Sequence, residues 1–235
     1  MPANMCSIAM EYLCQDQIKH MDMISPIKRG TAAVLYADKD NGVLLHETKS
    51  GAYMMSVTTH EVGEVLLRSL PGNGLFVCHQ DFMLADFEAK IKPSEILENF
   101  QGAYFGSPLK TPDFMDFKPL TMGDLTMVQA NYDMDLGEEY LAGRIADGEL
   151  FGGYENGEMI GFIGIHAEGS MGMLRVFDNR QGKGYGAALY TNITNFQLGR
   201  GLVPFGQIST HNPVSMHLAR KLGFEIGGER VWWLS

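Results

Sequence analysis

No stretch of the 235 residues is apolar for long enough to cross a bilayer, so no membrane-spanning helix is expected. Cysteine is scarce. Cys6, Cys14 and Cys78 are odd in number and lack metal-ligand spacing, which excludes a disulfide framework and a cysteine zinc site. Each is expected to be a small buried hydrophobe. Basic charge is also short: 18 Lys and Arg stand against 28 Asp and Glu, for a net charge of −10. Residues 1–110 hold 9 basic and 13 acidic side chains, and residues 111–235 hold 9 and 15. Neither part offers the clustered cations that broad nucleic-acid binding requires. Met1 to Met10 has no basic start and no long apolar core of the signal-peptide kind, so a cytoplasmic location is expected. Two phosphate loops, the serine-hydrolase elbow Gly-x-Ser-x-Gly and the metal motif His-Glu-x-x-His are likewise missing. No metal is expected.

What is present is ordinary globular composition, 45% hydrophobic and 20% charged, enough for one large domain or two small ones. Residues 4–24 have helical periodicity, ended by Ser25-Pro26. Ala32 to Tyr36 and Val43 to Glu47 flank Asn41-Gly42, a strong hairpin signal. Further strands are predicted at Tyr53 to Thr58 and Leu75 to His79, with helices at Thr59 to Leu70 and Asp81 to Lys90; Glu98 to Phe105 fits helix or strand, its aromatic end favouring strand. Gly106 to Asp113, with two prolines and a glycine, reads as a linker. We therefore expect an N-terminal α/β subdomain over 1–110 and a second domain over 111–235. Beyond the linker the predicted order is β-α-α-β-β-β-α-β-α-β, a mixed α/β fold with an antiparallel meander.

The most informative segment is Gln181-Gly182-Lys183-Gly184-Tyr185-Gly186, between the strand-like Met173 to Phe177 and the helix-like Ala187 to Leu198. Three glycines let successive backbone N–H groups converge without Cβ interference. The following helix adds unpaired first-turn donors and the positive end of its dipole. Such a turn suits a diphosphate. A P-loop spacing is absent, and Gly182, Gly184 and Gly186 do not make the dinucleotide pattern Gly-x-Gly-x-x-Gly.

This loop matches Arg/Gln-x-x-Gly-x-Gly/Ala through Gln181, Gly184 and Gly186. About thirty residues on, Asn212, Ser215, Leu218, Lys221, Leu222, Gly223 and Phe224 match Asn-x-x-Ser/Ala-x-x-Leu-Tyr-x-Lys-Leu-Gly-Phe. The two together resemble the GNAT superfamily of acyl-CoA-dependent N-acyltransferases over roughly residues 113–235. The element order before them is similar to the partial GNAT-like subdomain of glycine N-acyltransferase-like proteins. The resemblance implies a mostly antiparallel sheet flanked by helices, with a central strand splayed from its neighbour. It implies acetyl-CoA as co-substrate. Backbone groups of Leu174 and Val176 would pair with pantetheine, and Gln181, Gly182, Lys183, Gly184, Tyr185, Gly186 and Ala187 would cradle the diphosphate, Tyr185 packing under the loop. Asn212 and Ser215 would stand near the thiol arm, although Asn-Pro is also a helix entry. The backbone N–H of Val176 would donate to an oxyanion.

Acyl transfer to an amine also needs a base. Glu168 and His166 are the candidates, two residues apart and on one face if their strand stays regular; His211 is a third. Turn carboxylate and hydrogen-bonded ring are the plainer roles for the first two. The sequence departs from the pattern at Ala219, where many of these enzymes carry a tyrosine that protonates the departing thiolate. The expected activity is N-acetyl transfer to a small-molecule amine by direct attack in a ternary complex. The alternative is an acyl-CoA-binding sensor or scaffold without catalysis. Acceptor identity is not legible, and a homodimer stays open.

Overall fold

A computed structural model describes residues 3–132, 134 and 136–235. The chain forms two compact units. One comprises the residues up to Ala103 together with Gln207–Arg220 and Phe224–Ser235; the other comprises Tyr104–Gly206 and Lys221–Gly223.

The first unit opens with α1 (Ala3–Leu13) and α2 (Met21–Arg29), then β1 (Ala32–Asp38), β2 (Gly42–Glu47), β3 (Tyr53–Val57), α3 (His60–Ser69), β4 (Phe76–Cys78), α4 (Leu84–Ile91) and β5 (Ile96–Ala103). The predicted helix over 4–24 breaks at Cys14–Asp16, a single 3-10 turn, and resumes as α2. The proline does not end it. Pro26 sits inside α2, which closes at Gly30 in the left-handed conformation, φ 74°. Pro26 lies little more than one turn from the helix start, so its missing N–H costs few helical bonds. The Asn41-Gly42 hairpin forms as expected, Asp38 opposite Gly42. Glycine is required there twice over: its φ is 141°, and a Cβ would stand 2.4 Å from the Ser56 carbonyl oxygen. Cys78 is buried, and burial pushes its thiol up to about 12. Cys14, by contrast, is exposed in the 3-10 turn and Cys6 is half-buried, so the expectation of a buried thiol holds for Cys78 alone.

The second unit contains β6 (Asp116–Pro119), α5 (Leu125–Asn131), α6 (Glu138–Ala146), β7 (Leu150–Glu155), β8 (Glu158–Ile165), β9 (Met171–Val176) and α7 (Tyr185–Gly199). Its sheet runs β6-β7-β8-β9, antiparallel throughout. Leu120, Leu125, Val128, Leu141, Ile145, Leu150, Phe162 and Met173 form its core. The predicted linker is pinned within this unit: Leu109 N–H donates to Asn195 Oδ1 at 2.8 Å, and Asn195 Nδ2 returns a bond to Leu109 O at 2.8 Å.

The chain ends with β10 (Phe205–Ser209), α8 (Pro213–Lys221) and β11 (Glu225–Leu234). The seven-stranded sheet has the order β1-β2-β3-β4-β11-β5-β10. The chain first passes between units at Ala103 and Tyr104, ahead of the boundary expected at residue 110, and it crosses again later. The last thirty residues return to complete the N-terminal sheet, since β11 pairs with both β4 and β5. Trp232 and Leu234 on β11 join Phe76, Met83 and Phe87 in the core of that unit.

A buried polar network also holds the first unit. His20 Nε2 meets Ser56 Oγ at 2.8 Å and Nδ1 meets Leu13 O at 3.1 Å. A carbonyl can only accept, so Nδ1 carries the proton and Ser56 donates to Nε2. Burial, with His79 alongside, pushes the His20 ring down to about 4 from 6.5. The unfolded chain thus binds a proton that the folded one refuses between those values. Stability is fully present above pH 6.5 and falls as pH drops toward 4, by about 3 kcal/mol in all. Urea midpoints measured at pH 7 and pH 4.5 should show most of that loss; His20→Gln should flatten the difference.

Candidate active site

β9 is the last strand of its sheet, and it is not regular. Gly164 pairs with Gly172, and Phe162 pairs with Arg175. One residue of β8, Ile163, therefore faces two of β9, Met173 and Leu174, which defines a β-bulge. Met173 has φ 53°, in the left-handed region that non-glycine residues rarely adopt. The Met173 side chain is 2% exposed and belongs to the core, so packing sustains the strained backbone.

Beyond the bulge the hydrogen-bond alternation fixes where the backbone points. Phe177 N–H bonds Ile160 O at 3.0 Å, which makes Val176 and Gly161 a non-hydrogen-bonded pair. The N–H and C=O of Val176 point away from β8, to the outer edge of the sheet. Leu174 is itself one of the two bulged residues, so the alternation stops short of it. Gln181 Nε2 donates to Val176 O at 3.3 Å and to Asp178 Oδ1 at 3.2 Å, fastening the loop to the strand end.

Gly182 and Gly184 have φ 75° and 88°, and a Cβ on either would meet no heavy atom within 4 Å. The glycines are required by conformation, and the space beside them is open. Gly184 is the N-cap of α7, and the first helical bond there runs from Ala188 N–H to Gly184 O. The N–H groups ahead of Ala188 are those a helix leaves unpaired. Gln181, Gly182, Lys183 and Gly184 are exposed, and Gly186 and Ala187 are half-buried in the first turn. Tyr185 is buried, its ring edge-on to Phe114 at 5.7 Å. Lys183 Nζ reaches Asn179 O at 3.4 Å, whereas Arg180 is occupied by Glu155 and Glu158.

His166 and Glu168 do not continue a strand. β8 stops at Ile165, and residues 166–170 form a tight turn closed by His166 N–H to Ser170 O at 2.8 Å and Gly169 N–H to His166 O at 2.9 Å. Glu168 is 4% exposed and accepts a short hydrogen bond from Ser170 Oγ. His166 Nε2 sits directly over Gly172: a Cβ added there would fall 2.4 Å from it. So the turn brings the imidazole against β9 one residue before the bulge. Its Nδ1 meets the Tyr140 hydroxyl at 2.9 Å, and that hydroxyl also accepts from Ala167 N–H at 3.2 Å. Burial holds the His166 ring below the usual histidine range. Burial also pushes the Tyr140 phenol well up, the Glu168 carboxylate adding to it. Sequence reasoning missed both Tyr140 and the bulge. Nothing in the local pattern of α6 marks Tyr140, and methionine is not a residue that announces a left-handed backbone.

Asn212 and Ser215 lie at the start of α8 in the first unit. Asn212 Oδ1 accepts from Ser215 N–H at 2.9 Å, so this side chain caps its own helix. Ala219 is fully buried. His211 is exposed and, with Asp81, Glu98, Arg230 and Trp232, lines an open cavity of about 500 Å³ in that unit.

Residues 115–224 match the model of the Acetyltransferase (GNAT) family. That stretch, just under half of the chain, is similar to a GNAT acetyltransferase domain. The matched residues come from both compact units, since the match extends through β10 and α8. Among solved structures similar to the chain is a Drosophila protein, 13% identical, with a TM-score of 0.75, covering 99% of this chain and 95% of that one. A GCN5-related N-acetyltransferase-like protein from Streptococcus suis aligns with a TM-score of 0.57 at 13% identity, covering 97% and 99%. A GNAT-family acetyltransferase from Colwellia psychrerythraea aligns with a TM-score of 0.52 at 15% identity, covering 96% of each. At such identities these likenesses establish the GNAT fold alone. No curated protein matches the chain.

Proposed function

We propose that the protein is an N-acetyltransferase that transfers the acetyl group of acetyl-CoA to a small-molecule amine by direct attack in a ternary complex. The observation that carries this reading is the run of backbone from the bulge at Met173 and Leu174 through the outward-facing groups of Val176 into the glycine N-cap of α7. An edge strand that presents alternate amides suits a ligand with amides of its own. A helix N-terminus entered by two left-handed glycines with open space beside them suits a diphosphate. Coenzyme A has both. Leu174 and Val176 would hold its pantetheine arm, and Gln181 to Ala187 its diphosphate.

Bound, acetyl-CoA supplies an acetyl group activated as a thioester. The chain's own residues do the rest. The Val176 N–H, turned outward, donates to the oxygen on which negative charge develops. Glu168 receives the amine's surplus proton, directly or through water, because an alkylamine with a pKa near 10 arrives mostly protonated at neutral pH, and the second N–H proton, released as the tetrahedral adduct collapses, passes to the departing thiolate. No side chain of the site is a suitable nucleophile for an acyl-enzyme, hence the direct transfer. The thiolate departs without a tyrosine acid at position 219. A free thiol pKa of about 8.5 makes it a competent leaving group without one.

The test is thiol release from acetyl-CoA in the presence of a panel of amines, with mass-spectrometric identification of the acetylated product. Amine-dependent thiol release supports the reading. Tight coenzyme A binding with no release for any amine would replace it with that of an acyl-CoA-binding protein.

A further inference from the structure

We propose that Tyr140 is a positioning residue that locks His166 in the tautomer protonated at Nε2, so that His166 serves as a neutral hydrogen-bond donor beside the bulge and not as the general base. The inference rests on the acetyltransferase reading for its role in turnover, but not for the state of the ring.

The argument follows the protons. The Tyr140 hydroxyl accepts from the Ala167 N–H at 3.2 Å, so its own hydrogen must go elsewhere. His166 Nδ1, at 2.9 Å, is the acceptor in reach. A nitrogen that accepts has no proton, and the neutral ring then carries it on Nε2. Nε2 lies over Gly172, where only a residue without Cβ leaves room for the ring. Met173, the first residue of the bulge, is next in the chain. The groups that bear on the imidazole are Tyr140 and Arg144 from α6 and Glu168 from its own turn. Arg144 and burial disfavour the imidazolium, Glu168 favours it, and burial is the largest of the three. The Tyr140 hydrogen bond to the unprotonated Nδ1 works in the same direction as burial. A ring kept neutral with Nε2–H exposed to the strand can donate to a carbonyl or departing sulfur but has no lone pair on that side to take a proton.

The experiment uses the full chain with 15N-labelled histidine, the His166 signals assigned by comparison with His166→Gln. In the unmodified protein the two ring nitrogens should report protonation at Nε2 only, between pH 6 and 8. In Tyr140→Phe, which removes one oxygen and keeps the ring, the signals should move toward a mixture of tautomers. The pH at which the ring protonates should rise by about 0.7 unit, the equivalent of one neutral hydrogen bond. In the acetyl-transfer assay the same substitution should lower kcat about tenfold with KM for acetyl-CoA unchanged, and should bring in an acid limb absent from the parent profile. A ring protonated at Nδ1 in the unmodified protein, or one unaffected by Tyr140→Phe, overturns the proposal. Nε2 protonation in a protein that acetylates nothing would leave the tautomer lock standing and sink the acetyltransferase reading instead.

Discussion

Gly184→Val should cut the affinity for acetyl-CoA at least about 100-fold while the protein stays folded. Gly184 has φ 88° and caps α7, and no heavy atom lies within 4 Å of the place where its Cβ would be. The fold therefore suffers no clash. It bears only the cost of a β-branched residue in the left-handed region, about 1–2 kcal/mol. A ligand feels more. The two γ-methyls enter the open space in front of the first-turn N–H groups, which is where a diphosphate would have to come. Blocking two charge-assisted hydrogen bonds, each of about 1.5–3 kcal/mol, already exceeds two decades in affinity at 1.4 kcal/mol per decade. Gly186 supplies the control. It is helical, inside the first turn of α7, and carries no positive φ. Gly186→Ala should leave the backbone unstrained and cost far less binding. Calorimetric titration with coenzyme A, beside a urea melt of each variant, separates the two effects. Equal affinity for Gly184→Val and the parent protein would remove the diphosphate site from this loop, and with it the reason for expecting acetyl transfer.

That loop was legible because its chemistry is local. Glycine spacing, a strand before and a helix after are all written in consecutive residues, and the structure has Gly182 and Gly184 in the backbone region that only glycine enters easily. The order of elements after residue 113 was legible for the same reason: each helix and strand shows its own periodicity. The bulge was not. Its cause is the packing of Met173 against the core of the second unit, and a register shift on β9 leaves no mark in the sequence of β9. Tyr140 was missed because its partner, His166, is 26 residues away and meets it only through tertiary structure. The expectation of one face for His166 and Glu168 assumed a regular strand. The chain instead turns there, within hydrogen bonds that close on Ser170 and Gly169. Periodicity marks only the apolar end of β11, Val231 to Leu234. Its first half, Glu225 to Arg230, is polar and glycine-bearing, and it pairs with β5 across a register shift that no periodicity reveals.

Asp22→Ala should be the most destabilising single substitution tested in the first unit, by about 3–5 kcal/mol, because it breaks a fully buried pair. Asp22 and His79 are 0% and 1% exposed. His79 Nδ1 faces Met55 O at 2.9 Å, and Nε2 faces Asp22 Oδ1 and Oδ2 at 3.0 and 3.1 Å. Nδ1 must donate to the Met55 carbonyl, so the Nε2–Asp22 contact is held by one proton shared between ring and carboxylate. Gln101 Nε2 and Gln207 Nε2 add donors to the two carboxylate oxygens at 3.3 and 3.2 Å, and Trp233 Nε1 donates to Gln207 Oε1 at 2.6 Å. The carboxylate thus ties α2, β5, β10 and β11 through side chains that are buried or half-buried. Removing it takes the counter-charge from the ring and one acceptor from each of Gln101 and Gln207, whose other partners are Ile18 O, Lys19 O and Gln101 Oε1. Replacing both members of the pair is a different matter. Asp22→Leu with His79→Leu removes both partners together, and should cost less than Asp22→Ala alone, because neither is left without the other. Urea melts of the three proteins at pH 7 decide it. A single variant that melts with the parent, or a double variant that loses more than the single, would show that the pair does not hold these strands.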